Sequence, residues 1–315
     1  MGRGTLGRER QGLISGARAD LEELQMHVGF VGTGNMGGPM VENILRADHR
    51  VTVFDLRPEA TAPLEALGAG RAADLPSLAA SVEVTLMSLP DGAAVESVLF
   101  GSPESPGLAA GAPRGATVFD LSTVGPDSTR RLGARAMAER GVRLIDAPVS
   151  GSVTGAKAGT LALMFGATAA DVAPFEPVFR AIGTNFFHLG ELGRGNILKL
   201  LNNYVSISTE TLLCEAMTMA DRLGVPRRTV GEVMKESSAA SFMLDRKFEP
   251  LVNGDYRPGF AIDLAAKDLG LAVGLADGSG TEVTVGRESW QLLRRAQSAG
   301  LGKLDCAAIL ELLAR

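Results

Sequence analysis

The sequence predicts an α/β fold, a Rossmann-type doubly wound parallel sheet followed by an all-helical C-terminal domain. Short apolar runs begin at residues 27, 50, 84, 115 and 142, and helix-length segments separate them. That alternation is typical of βαβ units in a parallel sheet. Beyond about residue 190 the pattern becomes helical, with glycine and proline between the helices. These helices are expected at about 193–223, 227–236, 240–252, 260–276, 281–300 and 305–313.

Length and composition indicate a folded chain of two domains. Its 315 residues are 45% hydrophobic and 21% charged, with a net charge of -5 and no basic stripe, which argues against a nucleic-acid partner. No uninterrupted apolar run is long enough to span a bilayer, so no membrane partner is expected. Cys214 and Cys306 lie in apolar helical stretches, which predicts buried free thiols in a reducing, cytoplasmic compartment. The three histidines show no metal-ligand spacing, so no metal is expected.

The first 25 residues differ from the rest of the chain. Four arginines there are offset by four acidic residues, and the apolar core of a secretion signal is missing. We expect a flexible extension whose deletion leaves folding and activity intact. The remaining chain is then expected to form a Rossmann domain over 26–190 and a helical domain over 191–315, joined by the long helix 193–223.

A glycine-rich turn after the first strand predicts a dinucleotide site. The sequence G-T-G-N-M-G comprises Gly32, Gly34, Asn35, Met36 and Gly37, with Thr33 as its second residue. It stands between a strand and a helix, the context that a G-x-G-x-x-G motif requires. Such glycines permit a tight turn and close approach of a pyrophosphate to the helix N-terminus. The alternative is that the glycines serve only the turn.

Asp55, 18 positions after Gly37 at the end of the second strand, can bind both ribose hydroxyls and would repel a 2'-phosphate. Arg57 nearby leaves NADP as an alternative to NAD, because an arginine there can accommodate that phosphate.

Other loops at the carboxyl ends of strands belong to the same expected crevice. One contains Leu89 and Pro90, and another contains Ser122 and Thr123. The two hydroxyls could contact nicotinamide, ribose or substrate. They could instead cap the helix that follows.

The segment 146–161 is a candidate anion-binding loop. Glycines recur in it every four residues, with hydroxyl side chains between them. Backbone N–H groups of such a loop can converge on an anion, and a small carboxylate would fit. The residues of interest are Ser150, Gly151 and Ser152. An ordinary glycine-rich connection is the alternative.

Lys199 stands out within an apolar helical segment that begins at Gly193. A helix places Lys199 on one narrow polar stripe with Asn202, Asn203, Ser206 and Glu210, and the other sides are mostly apolar. A buried lysine shifts its pKa readily, which suits proton transfer. Alternatively, Lys199 reaches water or pairs with Glu210.

Lys267 lies four residues after Asp263, a spacing that favours an ion pair on a helix surface. That pairing needs no functional role for Lys267.

Four segments together resemble the β-hydroxyacid dehydrogenases, relatives of 3-hydroxyisobutyrate dehydrogenase and tartronate semialdehyde reductase. They are G-F-V-G-T-G-N-M-G-G-P-M, D-A-P-V-S-G-S-V-T-G-A-K-A-G-T-L, G-R-G-N-I-L-K-L-L-N-N and K-D-L-G-L-A. The resemblance covers about residues 26–313. It implies that Lys199 is the general acid/base and that Asn203 holds the substrate. It implies further that Ser122 and the loop Ser150-Gly151-Ser152 bind the substrate carboxylate, and that Lys267 lies near the cofactor beside Asp268.

Two departures from the family pattern bear on specificity. Ser152 stands where the family usually has a second glycine, which adds a hydroxyl to the carboxylate pocket. Leu56 stands where NADP-preferring relatives commonly have arginine, which favours NAD. The presence of both Lys199 and Asn203 argues against an imine reductase and against a non-catalytic scaffold protein.

The sequence therefore predicts an NAD-dependent oxidoreductase that interconverts a small 3-hydroxy acid and its semialdehyde or oxo acid. An NADP-linked semialdehyde or imine reductase and a non-catalytic cofactor-binding scaffold are the alternatives. The long apolar helices predict a homodimer or homotetramer.

Overall fold

The computed structural model describes residues 25–314, which form two compact units. The first unit comprises residues 25–122 and 130–192, and the second comprises residues 123–129 and 193–314. All but the last residue of the expected N-terminal extension lies outside the described residues. Residues 123–129 belong to the second unit although they precede the main body of it in the sequence.

A six-stranded parallel sheet forms the centre of the first unit. Its strands are β1 (His27–Val31), β2 (Arg50–Phe54), β3 (Gly70–Arg71), β4 (Val84–Met87), β5 (Thr117–Asp120) and β6 (Arg143–Asp146). Their order is β3-β2-β1-β4-β5-β6, the order typical of dinucleotide-binding folds. The five strands expected from the sequence are confirmed. The two-residue β3 was not expected.

Helices cover this sheet and bury its apolar runs. They are α1 (Gly37–Arg46), α2 (Pro58–Glu65), α3 (Leu75–Ser81), α4 (Gly92–Phe100), α5 (Leu108–Gly111), α6 (Pro126–Arg140), α7 (Ser152–Ala158), α8 (Ala169–Val172) and α9 (Glu176–Ile182). Strands β4 and β5 are buried along their whole length, as expected of central strands of a parallel sheet that helices cover on both faces.

A second, three-stranded sheet completes the first unit. It consists of β7 (Val149–Ser150), β8 (Leu161–Phe165) and β9 (Gly183–His188), with β7 antiparallel and β9 parallel to β8. This sheet was not expected from the sequence. It gives the glycine-rich segment a fixed structure, because that segment forms β7, the turn at Gly151, α7 and the start of β8.

The second unit is helical, as predicted. Its helices are α10 (Arg194–Arg222), α11 (Arg227–Lys235), α12 (Phe242–Asn253), α13 (Ile262–Ser279), α14 (Thr284–Ser298) and α15 (Ile309–Leu313), and a 3-10 turn, Cys306–Ala308, precedes α15. Its apolar core includes Leu200, Ile207, Leu251 and Leu269. Cys214 and Cys306 are both free and buried, as expected.

One face of α10 differs from the prediction. The sequence suggested a helix buried on most sides, but Leu201, Val205, Leu212 and Met219 are each at least 53% exposed. Their spacing places them on a single face of the helix. None of the helices described over residues 25–314 is long and apolar enough to cross a membrane.

Candidate active site

The glycine-rich turn after β1 has the shape that a dinucleotide requires. Gly32 has φ +87°, and a Cβ there would lie 2.3 Å from the Ser88 carbonyl oxygen. A Cβ on Gly37 would lie 1.9 Å from the Gly32 carbonyl oxygen. A Cβ on Gly34 would have Arg57 Nη2, at 3.5 Å, as its nearest heavy atom, an ordinary contact with the end of a flexible side chain. No side chain caps α1, which leaves its N-terminus suited to a pyrophosphate.

Asp55 is held at the end of β2 by both of its carboxylate oxygens. Its Oδ2 accepts a hydrogen bond from the backbone N–H of Thr33 at 2.9 Å. Its Oδ1 accepts one from the backbone N–H of Arg57 at 2.9 Å, and the Arg57 Nε lies 3.4 Å from it. Partial burial raises the pKa of Asp55, but these hydrogen bonds and the Arg57 charge leave it lowered. The carboxylate is therefore ionised, oriented and able to accept from ribose hydroxyls.

Ser122, at the carboxyl end of β5, does not cap a helix. Its Oγ accepts a hydrogen bond from the backbone N–H of Leu89 at 2.9 Å, and α6 begins only at Pro126. The capping alternative is therefore wrong for Ser122, and also for Thr123, which likewise lies too far from the helix start. Ser122 instead ties together the two strand-end loops that were expected to face the cofactor. The Leu89 side chain also lies close to Gly32. Pro90, the next residue in the sequence, is exposed.

The segment expected to bind a carboxylate turns sharply at Gly151. Gly151 has φ +139° and Ser152 has φ +61°, both in the region that favours glycine. For a residue with a side chain this conformation costs about 1–2 kcal/mol. Ser152 therefore adopts strained backbone at the position where the family usually has glycine. No side chain caps α7, which starts at Ser152.

Lys199 is buried in the second unit, with 9% of its surface exposed. Within the described part of the chain its side chain makes neither a hydrogen bond nor an ion pair. Burial lowers the pKa of Lys199 from 10.5 to about 8. The Asp268 carboxylate raises that pKa, whereas the Lys267 and Arg246 charges lower it further. The interpretation that Lys199 reaches water is therefore wrong, and so is its pairing with Glu210.

Asn203, one turn after Lys199, is fixed by a chain of polar contacts. Its Nδ2 donates to Asp268 Oδ2 at 2.7 Å, and Asp268 Oδ1 lies 2.9 Å from Lys267 Nζ. Lys267 Nζ in turn donates to the Thr123 carbonyl oxygen at 2.6 Å. The expected ion pair between Lys267 and Asp263 is therefore wrong. Asp263 instead pairs with Lys303 at 2.9 Å.

Glu210 belongs to a second buried cluster that the sequence pattern did not reveal. Lys247 Nζ lies 2.9 Å from Glu210 Oε1 and 2.6 Å from Asp305 Oδ1, and all three side chains are at most 6% exposed. Burial raises the pKa of Glu210 to about 7, against the opposing effect of Lys247. This cluster joins α10 to α12 and to the turn before α15. It accounts for Glu210 in the polar stripe without any contact to Lys199.

The structure thus brings the predicted residues together in two groups. In the first unit, Gly32, Leu89 and Ser122 are neighbours, and Asp55 is hydrogen-bonded to the loop between Gly32 and Gly34. In the second unit, Asp268 contacts both Asn203 and Lys267, and Lys267 donates to the carbonyl oxygen of Thr123. The Asp268 charge also raises the pKa of Lys199. Among residues 25–314, the segment Ser150-Gly151-Ser152 forms no hydrogen bond with the other predicted site residues.

Comparison with known proteins places both units in one group of dehydrogenases. Residues 27–190 match the family described as the NAD binding domain of 6-phosphogluconate dehydrogenase. Residues 193–313 match the family described as the NAD-binding region of NADP-dependent 3-hydroxyisobutyrate dehydrogenase.

Individual relatives agree over nearly the whole chain. The 2-(hydroxymethyl)glutarate dehydrogenase of Eubacterium barkeri is 33% identical over 92% of this chain and 95% of its own length. The 3-hydroxyisobutyrate dehydrogenase of Pseudomonas aeruginosa is 39% identical over 78% of this chain and 84% of its own length. A crystal structure of 3-hydroxyisobutyrate dehydrogenase from Salmonella typhimurium superposes with a TM-score of 0.83 at 29% identity, covering 91% and 100% of the two chains.

The chain therefore belongs to the 3-hydroxyisobutyrate dehydrogenase family, the β-hydroxyacid dehydrogenases. It is an NAD(P)-dependent oxidoreductase, and its first unit has the fold and the glycine turn that hold the dinucleotide.

Proposed function

We propose that the enzyme interconverts a small 3-hydroxy acid and its semialdehyde, with NAD as cofactor and Lys199 as the general acid/base. The observation that carries the proposal is Lys199 itself, a buried lysine in a family of hydroxyacid dehydrogenases that has no carboxylate oxygen within 4.0 Å among residues 25–314. A structural lysine with this burial would be expected to carry an ion pair, as Lys247 does.

The lowered pKa suits Lys199 to proton transfer near neutral pH. At a pKa of about 8 both protonation states are populated under ordinary conditions. In the oxidation direction, neutral Lys199 accepts the proton of the substrate hydroxyl. In the reduction direction, protonated Lys199 donates a proton to the carbonyl oxygen. The nicotinamide, when bound, supplies or accepts the hydride.

Asn203 and Asp268 are proposed to orient the reacting hydroxyl relative to Lys199. The Asn203 amide nitrogen donates to the Asp268 carboxylate, so the Asn203 amide oxygen can accept from other groups. The Asn202 amide nitrogen donates to that oxygen at 3.2 Å. Ser122 and the segment Ser150-Gly151-Ser152 are proposed to bind the substrate carboxylate. Thr123 and Lys267 are proposed to border the cofactor.

NAD is the proposed cofactor because of the residues that follow β2. Asp55 is ionised and would repel a 2'-phosphate, and the exposed Leu56 side chain offers that phosphate no donor. Arg57 is turned toward Asp55, with which it forms an ion pair. Leu89, Pro90, Asn35 and Met36 are proposed to complete the cofactor site.

A two-fold assembly through the helical units is also proposed. Four large apolar side chains share one exposed face of α10, and contiguous exposed apolar faces often mark interfaces. A homodimer or homotetramer would cover Leu201, Val205, Leu212 and Met219.

Steady-state kinetics with a panel of substrates tests the proposed function. The panel contains 3-hydroxyisobutyrate, L-serine, 3-hydroxypropionate and a 2-hydroxy acid as control, each with NAD and with NADP. We expect oxidation of 3-hydroxy acids with NAD and none of the 2-hydroxy acid. Higher kcat/KM with NADP would support the NADP-linked alternative. Turnover of no member of the panel would contradict the proposed substrate class.

A further inference from the structure

Asn43, on α1, joins the helix of the dinucleotide turn to the helix that follows the proposed carboxylate segment. Its Nδ2 donates to the carbonyl oxygen of Ala156 at 2.7 Å and to that of Lys157 at 3.4 Å. Both carbonyls belong to the last turn of α7, where a helix leaves its C=O groups without partners of its own. Asn43 therefore caps the C-terminus of α7 from a different element, 113 residues away from Ala156 in the sequence.

The neighbours of the Asn43 amide fix its orientation. Its Oδ1 accepts a hydrogen bond from Arg46 Nη1 at 2.7 Å, and Arg46 Nη2 donates to Glu42 Oε2 at 2.8 Å. A guanidinium can only donate and a carbonyl oxygen can only accept. The amide oxygen must therefore face Arg46, and the amide nitrogen must face the end of α7.

The start of α7 is strained. Gly151 has φ +139° and Ser152 has φ +61°, values that a residue with a side chain rarely adopts. Such a conformation persists only where the surrounding structure holds the segment. A helix of seven residues is also too short to be stable by itself in water. The geometry of the segment 150–152 therefore depends on the contacts that hold α7 in place.

Apolar packing and the Asn43 hydrogen bond hold α7 in different ways. Gly155 and Ala156 are its buried residues, and the side chain of Leu161 lies close to Gly151. Apolar contacts resist separation of the two helices but have no preferred direction. The hydrogen bond from Asn43 is directional, so it also fixes where along α1 the end of α7 lies.

We propose that Asn43 is a positioning residue for the substrate carboxylate, which holds the segment Ser150-Gly151-Ser152 at a fixed place relative to the glycine turn at residues 32–37. Helix α1 begins at Gly37, so one helix carries both the end that faces the pyrophosphate and the amide that holds α7. Both segments lie in the first unit. The inference rests on the proposed role of residues 150–152 and adds a residue that acts on them through α7.

Asn43→Asp tests the donor without changing the size of the side chain. Aspartate can still accept from Arg46, but its oxygens cannot donate to the carbonyl of Ala156. We expect the KM for 3-hydroxyisobutyrate to rise roughly 3- to 10-fold, the size expected for one lost hydrogen bond. The kcat and the KM for NAD should stay within about twofold, because the lost interaction acts on substrate binding alone. An unchanged KM for the acid would overturn the proposal.

Two variants control for charge and for the partner of the amide oxygen. Asn43→Ser has a shorter donor and adds no charge, so it should raise the same KM if Asn43→Asp does not fold. Arg46→Met removes the donor to the amide oxygen without touching α7 and should leave the KM for the acid within about twofold.

Ser152→Gly distinguishes positioning from a general effect on the fold. Glycine adopts φ +61° without strain, so the segment should then depend less on Asn43. In the Ser152→Gly background, Asn43→Asp should change the KM for the acid by less than about twofold. Equal effects of Asn43→Asp in the two backgrounds would show that Asn43 does not act through the strained segment, and would overturn the proposal.

Binding without turnover separates this inference from the proposed function. Isobutyrate, which has no hydroxyl to oxidise, should bind to the complex of the wild type with NAD in a calorimetric titration. Asn43→Asp should raise its dissociation constant roughly 3- to 10-fold. If the wild type oxidised no 3-hydroxy acid but the two proteins differed in this way, the proposed chemistry would fail and the positioning role would stand. Equal dissociation constants, or no binding of isobutyrate to the wild type, would refute the positioning role.

Discussion

Removing the charge of Lys247 should destabilise the helical unit that carries Lys199. Lys247→Met would remove the ammonium group that lies 2.9 and 2.6 Å from the buried carboxylates of Glu210 and Asp305. Glu210 and Asp305 are 1% and 2% exposed, so water cannot replace the ammonium group. Breaking a buried pair in this way costs about 3–5 kcal/mol.

The loss of stability can be measured in the helical unit itself, because the single tryptophan of the chain, Trp290, lies on α14. Urea unfolding followed by its fluorescence should give a free energy of unfolding lower by about 3–5 kcal/mol for Lys247→Met. The control is Lys303→Met, which breaks an ion pair whose lysine side chain is 92% exposed and should cost less than about 1 kcal/mol. A loss below about 1 kcal/mol for Lys247→Met would refute the assignment of this cluster as a structural pair.

Three other predictions follow from the site and the surface. Asp268→Asn should shift the kcat/KM profile for oxidation toward lower pH, because the lost carboxylate raises the pKa of Lys199 in the wild type; an unshifted profile would contradict this. Asp55→Ser combined with Leu56→Arg should move the cofactor preference toward NADP, and a wild type that already prefers NADP would show that the interpretation of Asp55 is wrong. Light scattering at micromolar concentration should give a multiple of the 32.8 kDa chain mass. Val205→Glu should lower the measured mass, and a wild-type monomer would exclude the assembly.

Periodicity was enough to predict the fold, the positions of five strands of the first unit and the approximate bounds of the helices of the second unit. Buried parallel strands and long helices impose repeated apolar spacing, so β1 and α10 could be located to within about two residues. The three-stranded sheet was missed because β9 is mostly exposed and its pairing with β8 is long-range. Such pairing leaves little local pattern. The glycine spacing of residues 146–161 also suggested a loop rather than β7 and α7.

Charge partners were harder to predict than the fold. Lys199 and Glu210 share a stripe, but eleven residues of helix separate them by about 16 Å. Glu210 therefore pairs with a lysine from another helix, which the sequence of α10 does not reveal. Asp263 and Lys267 have favourable spacing, yet Lys267 binds Asp268 and a carbonyl oxygen distant in sequence.

The pH dependence of oxidation by the wild type and by Lys199→Ala tests the proposed role of Lys199 most directly. A base with a pKa of about 8 should make wild-type kcat/KM rise with pH and level off above pH 8, because only neutral lysine accepts the hydroxyl proton. Lys199→Ala should lose this dependence and at least about 100-fold in kcat while binding NAD with similar affinity. A variant that kept more than about a tenth of wild-type kcat, or kept the rise near pH 8, would show that Lys199 is not the acid/base.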